Sequence, residues 1–218
     1  TYNRPDIGRA AVEVLEAANV HVALPEVGGT GRPPLSKGFV DKARTTAERN
    51  VEALAPAVRD GWDVVVAEPS DAVMLQSDYL DLLGGEDVEA LAASSYGVLE
   101  YLDVFRLDDT MAFGDAADTL TYHGHCHQKS TRKDHHAVGV LRRAGYDVDP
   151  LDSTCCGMSG SFGYEAEHLS MSNAIGNILF DQVDESDGDV VVAPGASCRT
   201  QLGDREDGDG EEPPHPIE

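Results

Sequence analysis

The chain has 218 residues, 41% of them apolar and 26% charged, enough for one large core or two small ones. Sixteen basic residues stand against 40 acidic ones, a net charge of −24, which repels phosphate backbones and argues against nucleic acid as a partner. No run approaches the 18 apolar residues of a membrane span, and the start lacks the basic-then-apolar pattern of a secretory signal.

In chain order, residues 7–18 predict a helix with Ile7, Ala11, Val14, Leu15 and Ala18 on one face. A short apolar strand is expected at 20–24, then a long helix over 39–59 that buries Val51, Leu54 and Val58. The run VVVA at 64–67 is apolar on both faces and reads as a buried, parallel-type strand. Helical patterns recur at 72–83 and 86–102. Strands are expected at 119–123, 146–149 and 190–193, with helices at 135–144 and 165–182 between them. This alternation predicts an α/β fold, parallel sheets flanked by helices. The stretch after Leu202, GDREDGDGEEPPHPIE, reads as a mobile acidic tail.

An internal repeat organises the series. A shift of 126 aligns Val12 with Val138, Leu15 with Leu141, Ala18 with Ala144 and Gly31 with Gly157. VVVAEPSD at 64–71 answers VVVAPGASC at 190–198, with one residue inserted. Two tandem related lobes are therefore expected about a pseudo-two-fold axis: residues 1–110, residues 111–202, and a tail at 203–218.

Only four of the basic residues are lysines, Lys37, Lys42, Lys129 and Lys133. Such an acidic surface suits high salt, where a Debye length of about 3 Å screens self-repulsion. A halophilic host of haloarchaeal type and a cytoplasmic location, or the membrane periphery, are the expectations. An acidic docking face for a basic partner is the alternative. The chain begins at Thr1 rather than Met, which reads as a processed chain or a piece of a longer one.

The chemistry gathers in the second half. Cys126 follows the strand expected at 119–123, Cys155 and Cys156 follow the next strand, and Cys198 follows the strand at 190–193. In a parallel sheet these are carboxyl ends, where loops converge and sites form. Four thiolates from three loops suit an iron–sulfur cluster. Zinc is the alternative, although its usual two close cysteine pairs are absent. Buried unrelated cysteines, disulfides, and a thiol enzyme working through Cys155 and Cys156 are further readings.

The neighbouring residues fit a bulky anionic group. His125 and His127 flank Cys126 and could donate hydrogen bonds to sulfur or ligate directly, while His135 and His136 open a helix and read as solvated. Gly157 and Gly160, in GMSGSFGY, let the backbone approach and aim N–H groups at sulfur. Gly195, Ser197 and Arg199 surround Cys198, and Arg199 is placed to offset cluster charge.

HGHCHQKS (123–130), CCGMSGSFGYE (155–165) and VVAPGASCRTQL (191–202) resemble the cysteine-rich CCG domain. That domain occurs in the heterodisulfide reductase B subunit, in iron–sulfur subunits of glycolate, lactate and glycerol-3-phosphate oxidoreductases, and in the C-terminal region of FAD-linked D-2-hydroxy-acid oxidases. The resemblance implies an electron carrier with a 4Fe-4S cluster on Cys126, Cys155, Cys156 and Cys198. Its partners would be a flavin-binding dehydrogenase domain or subunit, which holds the FAD, and a downstream electron acceptor. A zinc-binding docking module is the alternative.

Two departures qualify it. The first copy has Gly29 and Thr30 in place of the cysteine pair and Asp71 in place of the last cysteine, so the first lobe is expected to bind no cluster. Its stretch RPPLSKG (32–38) is expected as scaffold or as part of the interface with the flavin domain. The second copy has Gly195 where the fuller motif carries a cysteine, leaving four thiolates rather than five. No GxGxxG fingerprint or flavin-binding segment is present, so this portion alone is not expected to turn over a hydroxy acid.

Overall fold

A computed structural model describes residues 4–114, 116, 118–152, 155–205 and 210–218. Proline is suited to the first turn of a helix, where its missing N–H has no partner to lose. Prolines accordingly sit at the starts of α1 (Pro5–Ala17) and the short α2 (Arg32–Ser36). α3 (Val40–Arg59) follows, then β1 (Val64–Val66), α4 (Pro69–Val73), a π-helical turn at Met74–Asp78 and α5 (Tyr79–Leu82). α6 (Glu86–Ala93), β2 (Ser95–Gly97) and α7 (Val98–Val104) lead to a 3₁₀ turn at Leu107–Thr110. The second half runs β3 (Thr119–Tyr122), α8 (Cys126–Ser130), α9 (His135–Arg143) and β4 (Asp147–Pro150). After a 3₁₀ turn at Phe162–Tyr164 come α10 (Leu169–Glu185), β5 (Val190–Val192) and α11 (Ala196–Gly203).

The strands form two small parallel sheets flanked by helices, as the alternation predicts. β1 pairs with β2, in register Val65 to Tyr96. The second sheet has the order β4-β3-β5, with Leu120 opposite Val148 on one side and Val190 on the other. Because all three strands run the same way, the chain leaves each at one edge. Two hydrogen bonds extend the ladders there, His123 N–H to the Val192 carbonyl at 3.0 Å and Leu151 N–H to the Tyr122 carbonyl at 2.9 Å.

Three apolar clusters hold these layers. One joins α3, the π turn, α5 and α6 through Ala43, Leu54, Met74, Tyr79 and Leu91. The central one draws Ile7 and Leu15 of α1 and Leu102 of α7 together with Leu120, Tyr122, Val140, Val148 and Val192. It thus spans both sides of residue 110. The third packs Cys156 and Cys198 with Leu151, Met158, Leu179 and Ala193.

Three details depart from expectation. Residues 20–24 form no strand, though Val20 and Val22 pack against the central cluster. The helix expected over 86–102 is broken by β2, whose three residues are too few to show a period in sequence. The expected mobile tail is also corrected. Residues 206–209 lie outside the described residues, but His215 and Ile217 are buried. The Pro214 carbonyl accepts the Ala193 N–H at 3.2 Å, and His215 Nε2 lies 3.3 Å from the Ala67 carbonyl. Apolar burial at the far end anchors what composition alone marks as solvated.

The aligned glycines share one geometry. Gly31 has φ +94° and Gly157 φ +93°. A Cβ at Gly31 would press on the Ala43 carbonyl oxygen and Thr46 of α3 at 3.2 and 3.3 Å, and one at Gly157 would collide with the Ser172 carbonyl oxygen of α10. Only glycine meets both demands.

Candidate metal centre

The site is built at the carboxyl edge of the second sheet. β3 delivers His123, His125 and Cys126, the loop after β4 delivers Cys155 and Cys156, and β5 delivers Gly195 and Cys198. Cys198 and Cys156 are buried, at 1% and 3% exposure, whereas Cys126 and Cys155 are half-buried. All four are free thiols. The disulfide reading therefore finds no bond here.

The sulfurs touch in series. Cys155 is held far below the ordinary thiol range, first by hydrogen bonds from Cys126 and Cys156 and further by the Gly157 N–H, 3.3 Å from its Sγ. Cys198 is held well below it by Cys156 and then His123. The same contacts push Cys126 and Cys156 up, with burial adding to both, while the Met158 N–H favours the Cys156 thiolate. Two acceptor sulfurs thus alternate with two donors in an apolar pocket. A cation entering there displaces the thiol protons, which couples metal binding to proton release.

The histidines divide their roles. His125 is the N-cap of α8, its Nδ1 accepting the His127 N–H at 3.2 Å. That leaves Nε2 as the protonated nitrogen, 4.0 Å from Glu68 Oε1. Burial pushes His125 down to about 4, so its ring is neutral at physiological pH. His127 lies edge-on to it with centroids 5.1 Å apart; its Nδ1 is buried without a partner among the described residues, and burial and Arg32 lower its pKa. His123, almost fully buried, reaches Cys198.

Gly195 brings its loop so close that a Cβ would collide with the His125 ring and lie 3.3 Å from Cys198 Sγ. A side chain there would enter the centre itself. Gly157 is likewise demanded by packing. A Cβ at Gly160 would have no neighbour within 4 Å among the described residues, so the demand for glycine there comes from its φ of +69°. Ser197 lies half-buried in the first turn of α11. Arg199 is buried and donates to the Pro194 carbonyl at 2.8 Å, with Glu212 at 4.0 Å, so its guanidinium also holds the end of β5 and the C-terminal segment.

Sequence reasoning missed Glu68, at the carboxyl end of β1 in the first sheet. Its Oε1 caps α4 through Ser70, and its Oε2 accepts the Ala196 N–H of the Cys198 loop at 2.9 Å. One carboxylate thereby ties the two sheets together beside His125. The acidic residue just before Pro69 was the available signal, because Glu-Pro marks a helix start. Lys129 was also missed; its Nζ donates to the Leu151 carbonyl at 2.9 Å, among the cysteine loops.

These loops lie in a segment similar to a known domain. Residues 120–203 match the family model described as Cysteine-rich domain, CCG. The chain is also 30% identical over 212 residues to the C subunit of anaerobic glycerol-3-phosphate dehydrogenase from Escherichia coli (strain K12), covering 92% of this chain and 52% of the relative. It is 24% identical over 213 residues to lactate utilization protein A of Bacillus pumilus (strain SAFR-032), 93% of this chain and 86% of that one. With D-2-hydroxyglutarate dehydrogenase of Escherichia coli (strain K12) the identity is 23% over 95% of this chain, but only 20% of the relative. The chain therefore spans about half the first relative and a fifth of the last. The matched segment contains all four cysteines and, apart from Thr119, the three-stranded sheet.

Proposed function

We propose that this chain is the electron-transfer region of an oxidoreductase, holding one iron–sulfur cluster of four-iron type on Cys126, Cys155, Cys156 and Cys198. The observation that carries it is the meeting of four sulfurs from three loops at one sheet edge. Similarity to proteins named as dehydrogenases supports a redox role over a structural one, since zinc supplies no electron. The cluster would supply one-electron storage. The chain supplies thiolates, the Gly157 and Met158 N–H groups aimed at sulfur, and a dry lining of Leu151, Met158 and Leu179.

The half-buried flank, Cys126 and Cys155, is the side on which electrons enter or leave, beside His127. In this reading a flavin-binding domain or subunit oxidises a 2-hydroxy acid of glycolate or D-lactate type, and electrons pass through this centre to a downstream acceptor. The two halves are diverged copies, residues 1–110 without a cluster and residues 111–202 with one. The chain works in the cytoplasm or at the membrane periphery of a halophile; no helix among the described residues is long and apolar enough to cross a membrane.

The test is an anaerobic redox titration followed by electron paramagnetic resonance. The proposal expects a one-electron signal that disappears in Cys198→Ser. A colourless protein with stoichiometric zinc and no signal would instead identify a docking module.

A further inference from the structure

A second group of ligand atoms lies away from the cysteines, where α7 packs on α9. One atom each from Asp103, His135 and His136 lies within 4.8 Å of the other two. His136 Nδ1 stands 2.7 Å from Asp103 Oδ2. An ordinary ion pair accounts for those two. It does not account for His135, an exposed residue whose ring lies 4.0 Å from that of His136, centroid to centroid, and whose ligand nitrogen converges on the same point.

The carboxylate is also oriented from behind. Arg143 donates through Nη2 to Asp103 Oδ1 and through Nε to Asp108, whose side chain is fully buried. Asp103 Oδ1 is thereby occupied, which leaves Oδ2 to face His136. Gly139 makes the room, since a Cβ there would lie 3.2 Å from Arg143 Nη1 and 3.4 Å from Asp103 Oδ1. A ligand carboxylate held by an outer hydrogen-bonding partner is a recurring feature of metal sites. Two imidazoles and one carboxylate suit a borderline divalent cation, with water in the remaining position.

We infer that Asp103, His135 and His136 form a second, cysteine-free metal site for a divalent transition cation such as Zn²⁺. It is independent of what the cysteines hold. The test is a Co²⁺ titration of the full chain after the cysteine centre has been filled, with iron and sulfide or with a single equivalent of zinc, which the four thiolates hold first. One further equivalent is expected, showing weak ligand-field absorbance without thiolate charge transfer. His135→Ala should weaken it by at least about 10-fold, and Asp108→Asn, acting through Arg143, by about 10-fold. His135 is exposed, so its variant keeps the fold, which circular dichroism checks. No saturable further equivalent, or undiminished binding by His135→Ala, overturns the assignment.

Discussion

The loop around Thr30 and the loop around Cys156 each turn at a glycine of positive φ, with opposite chemistry. In the second half Cys156 takes the Met158 N–H and contacts Cys198. In the first half Thr30 Oγ1 takes the Arg32 N–H at 3.3 Å and donates to Asp71. Gly31 and Gly157 stand one residue after Thr30 and Cys156, with φ values of +94° and +93°. Asn50 and Tyr79 complete the first loop, Asn50 donating to the Gly29 carbonyl at 3.2 Å and Tyr79 to the Thr30 carbonyl at 2.8 Å. Hydroxyl and carboxylate thus fill one loop with ordinary hydrogen bonds where the other offers sulfur. In both loops the turn rests on the glycine and the long helix behind it, and in the proposed function the metal chemistry is an addition to that turn.

The comparison can be broken at several points. Cys198→Ser and Cys156→Ser should reduce bound iron to background after anaerobic reconstitution, while Asp71→Ser leaves it at the wild-type level. Gly157→Ala adds a steric collision to a positive φ and should cost about 3 kcal/mol in urea unfolding, against about 1 kcal/mol for Gly160→Ala, which has only the φ. Gly31→Ala should fall between them, because its neighbours are 3.2 Å or more away.

Two smaller effects sharpen the account. Glu68→Gln removes a carboxylate from the Ala196 N–H and the side of His125; it should cost about 1 kcal/mol and raise the reduction potential, since a less negative surrounding favours the added electron. Asp71→Asn should have the smallest effect. Burial raises the Asp71 pKa, opposed by the Thr30 hydroxyl. A carboxyl raised in the folded state contributes stability that is present at low pH and lost as pH rises through the folded value. The asparagine variant should therefore match wild type in acid and melt slightly higher at neutral pH.

Much of this was legible in sequence. The parallel strands at 64–66, 119–122, 147–150 and 190–192 carry apolar runs or alternations long enough to read, and parallel running then brings Cys126, Cys155, Cys156 and Cys198 to one edge. The roles of Glu68 and Arg199 were not legible, because both depend on contacts between segments far apart in the chain: Glu68 reaches Ala196 across 128 residues. The Arg199 guanidinium is engaged by carbonyls at the end of β5. The anchoring of the C-terminal segment escaped for a similar reason. Its composition is acidic, yet His215 and Ile217 find burial against distant elements.

The most direct measurement is iron, acid-labile sulfide and zinc analysis of the anaerobically purified and reconstituted chain. A single cluster on the four cysteines predicts about four iron and about four sulfide per chain, lost together in Cys156→Ser. One equivalent of zinc with no sulfide, displaced by neither iron nor reductant, would contradict it.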